Sequence, residues 1–242
     1  MHTVPELQIL LPIHNEAESI AATIREIYAE LSPIVHAEFL LCEDGSTDDT
    51  KQVLRELAQT IPAKLLLSDE RKGYSRAVRD GMMETEAPFL LCLDSDGQCD
   101  PKDFRTFWEN RSRADVLVGW RVHRADTALR KTMSRAFFAI WKRLYRVPIH
   151  DPSCPFILAR REVIHNVSRK MGAMREGFWW EFSARVSRSG YTIEEFPVHH
   201  RNRAAGTTQV YRLNKLPGIG YQHFMALFRI LRETRPDVRA NL

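Results

Sequence analysis

Short, almost continuous apolar runs alternate with amphipathic segments along the first hundred residues. The apolar runs lie at 7–13, 37–42, 63–67 and 88–93, and the segments between them repeat apolar residues at helical spacing. Strands that are apolar on both faces and are separated by helices of about 10 to 15 residues form parallel sheets covered on both sides. The pattern therefore predicts a doubly wound, mostly parallel α/β sheet.

The pattern is less regular in the rest of the chain. It predicts strands at 114–120 and 155–159 and an outer strand within 192–200. It also predicts a basic amphipathic helix at 129–147 and a closing amphipathic helix at 216–233. No repeat or linker divides the sequence, so we expect residues 1–242 to form one domain.

The composition is that of an ordinary globular protein, with 44% hydrophobic and 27% charged residues among 242. No window holds the roughly 18 apolar residues that a membrane span needs. The first residues lack the basic segment and the small-residue cleavage site of a secretory signal. On these grounds the sequence predicts a cytoplasmic protein.

The two parts of the chain differ in charge. Residues 1–110 carry 10 Lys and Arg against 21 Asp and Glu, a net charge of −11, whereas residues 111–242 carry 25 against 10, a net charge of +15. This asymmetry is either drift in surface charge or a sign that the second part meets an anionic partner. Phosphates, an acidic lipid surface and nucleic acid are the partner classes that such a charge fits.

Polar residues follow each of the first four predicted strands. The segments are "PIHNEAE", "CEDGSTDD", "SDERKG" and "DSDGQ". Ligands of doubly wound sheets bind outside the carboxyl ends of the strands. Four consecutive polar strand ends therefore predict one common site.

The fourth strand end places Asp94, Asp96 and Gln98 at every second position, so an extended backbone directs them to the same side. Neighbouring carboxylates repel each other unless a cation lies between them. Oxygen ligands of this kind select Mg²⁺ or Mn²⁺, which take further ligands from water and substrate phosphates. The alternative is an acidic surface loop in which Asp100 caps the next helix.

Four motifs together resemble family 2 glycosyltransferases of the GT-A fold, in particular the dolichol- or polyprenyl-phosphate mannose synthase branch. These motifs are "LLPIHNEAESI", "CEDGSTDDT", "DERKGYSRAVRDGM" and "LCLDSDGQCDP". The resemblance implies inverting transfer of a sugar from a nucleotide diphosphate donor. By matching position it implies nucleotide contacts for Pro12, Glu16, Asp44, Arg71 and Lys72, a place for Asp94 at the diphosphate and metal, and Asp96 and Gln98 as ligands of Mg²⁺ or Mn²⁺.

The second part resembles the family more loosely. Residues 1–110 would be the half that binds nucleotide sugar and metal, and 111–242 the acceptor half. The resemblance implies acceptor contacts for Arg121, Arg130, Ser134 and Arg203. It departs from the family pattern where Pro155 replaces the usual Gly and Gln209 the usual Lys.

Which residues take part in catalysis besides Asp94 and Asp96 depends on the chemical class of the acceptor. A polyprenyl phosphate is ionised at neutral pH and needs orientation by arginines, whereas a hydroxyl acceptor needs a carboxylate base. Asp151 and Glu181 are the candidates for that base. A non-enzymatic basic binding module is a further alternative.

The basic half favours the polyprenyl phosphate over a hydroxyl acceptor, and we expect no nucleic-acid partner. The 129–147 helix then either contacts the inner face of a membrane, as a peripheral protein does, or packs on the core.

Overall fold

A computed structural model of the protein describes residues 4–122, 128–174, 176–201 and 216–233, without the side chains of 128–136 and 216–219. These residues form a seven-stranded sheet with helices around it. The strands are β1 Leu7–Ile13, β2 Ala37–Glu43, β3 Ala63–Leu67, β4 Phe89–Cys92, β5 Val116–Arg121, β6 Ile157–Arg160 and β7 Ile193–Val198. The helices are α1 Ile20–Leu31, α2 Thr50–Leu57, α3 Tyr74–Met83, α4 Phe104–Glu109, α5 Ala128–Tyr145, α6 Arg161–Ser168, α7 Phe178–Arg188 and α8 Leu216–Glu233.

The strand order is β3-β2-β1-β4-β6-β5-β7. Neighbouring strands are parallel, except that β6 runs antiparallel to both β4 and β5. The predicted mostly parallel α/β sheet is therefore confirmed. The chain passes from β1 outward to β3 and then returns to place β4 on the other side of β1. This reversal is the topological switch point at which such sheets bind ligands.

The apolar runs of the central strands are buried because helices cover both faces of the sheet. In β1, Ile9 and Leu11 pack with α1, α2 and α4, whereas Leu10 between them packs with α3 on the opposite face. Both faces of the central strands are thus dry, which explains why their sequences are continuously apolar rather than alternating.

Helix α7 separates the sheet from an outer layer formed by α5 and α8. Phe182 of α7 belongs to the core on the sheet, while Trp180 packs against Trp141 of α5 with ring centroids 5.5 Å apart. The hydroxyl of Tyr145 on α5 donates to the carbonyl of Leu227 on α8 at 2.7 Å. The described part of the apolar face of α5 therefore packs on the protein core.

None of the helices in the described residues is long and apolar enough to cross a membrane.

Candidate active site

The loops after β1 and β2 are joined side by side. The backbone N–H of Asn15 donates to Ser46 Oγ at 2.9 Å, and Asn15 Oδ1 accepts from the N–H of Thr47 at 2.9 Å. The N–H of Glu16 donates to Thr50 Oγ1 at 2.9 Å. These bonds hold the segment from Pro12 to Glu16 against the start of α2, at the carboxyl edge of the sheet.

Asp44 connects the loop after β2 to the loop after β3. Its buried carboxylate accepts from the backbone N–H groups of Lys72 at 2.6 Å and Gly73 at 2.9 Å. Gly45 has a φ of +63°, and a Cβ at this position would lie 2.4 Å from the backbone N of Arg71. Only glycine permits so close an approach, which explains the Asp-Gly pair at this turn.

A cleft of about 430 Å³ opens beside this connection. Asp44 and Lys72, both predicted to contact the nucleotide, contribute to its lining together with Asp80. The Lys72 ammonium pairs with Asp80 at 3.0 Å, and the Arg71 side chain is exposed. The nucleotide roles of these residues stay a prediction, but they lie along one edge as the strand ends implied.

Asp94 follows β4 and lies beside the switch point, where Ser95 Oγ donates to the carbonyl of Pro12 at 2.7 Å. Asp94 Oδ1 accepts a hydrogen bond of 2.8 Å from the hydroxyl of Tyr74, which in turn accepts one of 2.8 Å from Trp179 Nε1. Burial of the Tyr74 hydroxyl, reinforced by the charge of Asp94, raises the pKa of Tyr74 well above its usual value. Tyr74 therefore stays a protonated donor at neutral pH.

The predicted metal motif is held against the end of β7. The Gln98 carbonyl accepts from the N–H of Arg201 at 2.8 Å, and Gln98 Nε2 donates to the Arg201 carbonyl at 3.3 Å. This second bond leaves Oε1 as the amide atom that suits a cation. Asp96 Oδ1 accepts from the N–H of Gln98 at 3.1 Å, a bond within the loop that holds the Asp96 carboxylate close to Gln98.

The donor set fits a hard divalent ion. Asp94, Asp96 and Gln98 carry oxygen donor atoms, which suit Mg²⁺ or Mn²⁺ rather than softer metals. Within the described ranges no three His, Cys, Asp or Glu side chains cluster closely enough to hold a metal alone. An ion at this motif would therefore take its remaining ligands from water and a bound diphosphate, as Mg²⁺ sites commonly do.

Arg121, the last residue of β5, and Asp151, which precedes β6, form a buried pair at the same edge. Asp151 accepts from Arg121 Nε at 2.7 Å and Nη2 at 3.0 Å, and Ser153 Oγ accepts from Nη2 at 2.7 Å. Burial lowers the pKa of Arg121, but Asp151 and, from farther away, Asp94 outweigh it and raise the pKa above its usual value. Arg121 therefore stays protonated and forms a lasting ion pair with Asp151.

Glu181 is wrong as a candidate base. Its side chain is completely buried, and it accepts from the N–H groups of Gly172 at 3.1 Å and Met174 at 2.7 Å and from Arg185 Nε at 2.7 Å. A carboxylate with these partners holds α7 together and does not reach a substrate. The sequence alone did not separate this buried ion pair from a catalytic acid.

Three predicted acceptor residues cannot be compared with the structure. Only the backbone of Arg130 and Ser134, in α5, belongs to the part of the chain that the structure describes, and Arg203 lies outside that part altogether.

Sequence reasoning also missed Tyr74, Trp179 and Arg201. Tyr74 bonds to Asp94 across 20 positions of the chain, Trp179 to Tyr74 across 105 and Arg201 to Gln98 across 103, and no local pattern marks them.

Comparisons with known proteins agree with this geometry. The model of the family described as "Glycosyl transferase family 2" matches residues 8–168. The dodecaprenyl-phosphate galacturonate synthase of Rhizobium johnstonii is 30% identical over 210 residues, covering 84% of this chain and 61% of its own length. The chain belongs to glycosyltransferase family 2.

A second relative in the family is the undecaprenyl-phosphate 4-deoxy-4-formamido-L-arabinose transferase of Pseudomonas fluorescens. It is 28% identical over 207 residues, which cover 84% of this chain and 59% of that protein. The chain thus spans about three fifths of the length of the curated relatives it matches.

Solved structures confirm the GT-A fold. The glucosyl-3-phosphoglycerate synthase of Mycobacterium tuberculosis with Mg²⁺ and UDP matches with a TM-score of 0.65 at 18% identity, over 98% of this chain and 83% of that one. A mannosyltransferase of Pyrobaculum calidifontis with GDP-Man and Mn²⁺ matches with a TM-score of 0.61 at 18% identity, over 94% and 65%. At such identities the likeness concerns the fold.

Proposed function

We propose that this family 2 protein transfers a sugar, with inversion, from a nucleoside diphosphate sugar to a polyprenyl phosphate. The observation that carries the proposal is that Asp94, Asp96 and Gln98 follow β4 at the same edge of the sheet at which the Arg121–Asp151 pair lies. The two polyprenyl-phosphate sugar transferases among its relatives support this acceptor. The solved neighbours with nucleotide and Mn²⁺ or Mg²⁺ support the donor and a divalent ion.

The chemistry needs few protein groups. An oxygen of the acceptor phosphate forms a bond to the anomeric carbon while the bond from that carbon to the nucleoside diphosphate breaks. When bound, a divalent ion supplies neutralisation of the charge that develops on the departing diphosphate. Asp96 and Gln98 would hold that ion, with Asp94 beside it. Since the acceptor phosphate is already ionised, this chain supplies orientation rather than a base.

The commitment of Asp151 to Arg121 favours the phosphate acceptor over a hydroxyl. A carboxylate in a bidentate bond with a guanidinium is a poor general base, because accepting a proton would break that pair. Asp151 and Ser153 accept from Nε and Nη2 of Arg121 and hold the guanidinium in place, so that Nη1 is the nitrogen that would contact an anionic acceptor. This arrangement supports Arg121 as an acceptor-orienting residue.

The transfer reaction can be tested with the purified protein, Mn²⁺, a set of nucleotide sugars and a short polyprenyl phosphate. We expect a glycolipid with at least one donor, and none when EDTA replaces Mn²⁺. The matched acceptor is the corresponding polyprenol without phosphate, which we expect to remain unmodified. Transfer to the polyprenol at a comparable rate would contradict the phosphate acceptor.

Peripheral contact with a membrane is part of the proposal and is supported by the outer layer of helices. Four large apolar side chains of α8 are exposed, on the side opposite its buried Ala226, Leu227 and Ile230. Exposed cationic side chains also lie in the last turn of α5 and directly after it. The apolar set is Tyr221, Phe224, Met225 and Phe228, and the cationic set is Lys142, Arg143 and Arg146. Apolar and basic groups together suit an anionic lipid surface.

Replacing Phe224 and Phe228 together by Ser is expected to weaken binding to vesicles that contain anionic lipid by about tenfold or more, because two apolar side chains no longer enter the interface. Co-sedimentation measures this binding. Val4→Ser removes an exposed apolar side chain elsewhere and serves as the control. If the double variant and the control bound the vesicles equally well, the proposed contact between α8 and the membrane would be wrong.

A further inference from the structure

A chain of two hydrogen bonds runs from the start of α7 to Asp94. Trp179 Nε1 donates to the Tyr74 hydroxyl, and that hydroxyl donates to Asp94 Oδ1, each over 2.8 Å. The indole nitrogen is a donor only, so the Tyr74 oxygen accepts from it and directs its own proton to the carboxylate. The direction of both bonds is therefore fixed.

Both donors are held in place by their own elements. The Trp179 ring is buried between Phe178 and Phe182, with ring centroids 5.0 and 5.8 Å away. Tyr74 begins α3 directly after Gly73, whose backbone N–H is bonded to Asp44. The position of the Tyr74 hydroxyl is thus set from the nucleotide side through Asp44 and from the acceptor half through Trp179.

The hydrogen bond from the Tyr74 hydroxyl to Asp94 differs in kind from an ion pair. A neutral hydroxyl orients the carboxylate of Asp94 and leaves its negative charge in place, whereas a guanidinium in the same position would neutralise it. The bond from Trp179 polarises the hydroxyl and strengthens its bond to the charged oxygen. A charged, oriented carboxylate is what a diphosphate-bound cation requires.

The geometry points to Tyr74, supported by Trp179, as the positioning residue that fixes the Asp94 carboxylate for the metal and diphosphate. This inference rests on the proposed function, since it assigns Asp94 to that region. It adds a connection between the acceptor half and the donor site that runs through one hydroxyl group.

Tyr74→Phe removes only the hydroxyl. We expect it to weaken Mn²⁺-dependent binding of a nucleoside diphosphate by about tenfold, the lower end of the loss typical for groups that orient metal ligands. Isothermal titration calorimetry with GDP and UDP, with and without Mn²⁺, measures the affinity without requiring turnover. Trp179→Phe is expected to cause a smaller loss. The double variant should be no weaker than Tyr74→Phe, because Trp179 acts through the Tyr74 hydroxyl.

The matched control is Tyr191→Phe, which removes a hydroxyl that accepts from Asn166 Nδ2 at 2.5 Å, away from Asp94. It should leave the affinity unchanged. A Tyr74→Phe protein with a lower Tm and unchanged Mn²⁺-dependent affinity would overturn the inference and leave the proposed function standing. If the unmodified protein bound neither nucleotide in a Mn²⁺-dependent way, the proposed function would fail, and this inference with it.

Discussion

Replacing Asp96 by Asn is expected to lower the rate of sugar transfer by at least about 10³-fold, since the loss of charge stabilisation by a metal site amounts to several kcal/mol. Asp96 is one of the two carboxylates of the predicted metal motif, and its Oδ1 already accepts from the N–H of Gln98. The amide keeps the shape of the side chain but loses the negative charge that attracts a divalent ion. Mn²⁺-dependent nucleotide binding should fall together with the rate.

The control for Asp96→Asn is Asp115→Asn, the same chemical change at the opposite edge of the sheet. Asp115 precedes β5 and accepts from the N–H and the hydroxyl of Thr192, both at 2.8 Å. We expect it to retain transfer within a few-fold of the unmodified protein. If Asp96→Asn transferred sugar at a rate near that of this control and depended on Mn²⁺ as before, Asp96 would not be a ligand of the metal.

Replacing Asp151 by Ala is expected to lower the free energy of unfolding by about 3–5 kcal/mol, because it leaves the buried guanidinium of Arg121 without its counter-ion. Both side chains are largely buried, at 12% and 5% exposure. Chemical denaturation measures the loss. Had Asp151 been a general base held free for a hydroxyl acceptor, its removal would abolish transfer with little effect on stability.

A double-mutant cycle measures the coupling energy between Arg121 and Asp151. Arg121→Ala and Asp151→Ala each leave one buried charge, so the double variant should be more stable than the sum of the two losses implies. The surface pair of Lys64 and Glu84, at 2.8 Å, provides the comparison. Lys64→Ala should change stability by no more than about 1 kcal/mol. Additive losses at Arg121 and Asp151 would show that the buried contact does not couple them.

The parallel half of the fold was predictable because its signals are local. The continuous apolar runs gave β1 and β3 with the bounds that the structure has, Leu7–Ile13 and Ala63–Leu67. The cap at Asp100 was likewise readable, and its carboxylate accepts from the N–H of Lys102 at 3.1 Å, at the start of the short 3₁₀ helix Pro101–Asp103 that leads into α4. The antiparallel direction of β6 was not predictable, since four apolar residues fit either direction and neighbouring strands decide.

Helix α6 was missed for a related reason. It has only eight residues, Arg161–Ser168, and Arg160 before it makes no side-chain cap that would signal a start. Its apolar Val163, Ile164 and Val167 are buried by packing on the sheet rather than by helix propensity.

At the site, sequence reasoning found the residues that follow strands and missed those that hold them. Asp94, Asp96 and Gln98 share a short segment that can be recognised directly, but the predicted extended backbone is wrong, because the chain turns at 95–96 and Gly97 has a φ of +73°. Tyr74 and Arg201 contact them only because the loops after β3 and β7 meet the same edge, which depends on the strand order. The pairing of Arg121 with Asp151 is a further case, because a candidate base and a candidate acceptor contact turned out to be partners.

Sugar transfer as proposed depends most on a divalent ion at the end of β4 that contacts the diphosphate of the donor. A crystal structure with Mn²⁺ and a nucleoside diphosphate, with the ion located by its anomalous scattering, tests this directly. We expect the ion between the diphosphate and the side chains of Asp96 and Gln98, with Asp94 adjacent. An ion bound elsewhere, or both aspartates turned away from the diphosphate, would contradict the account.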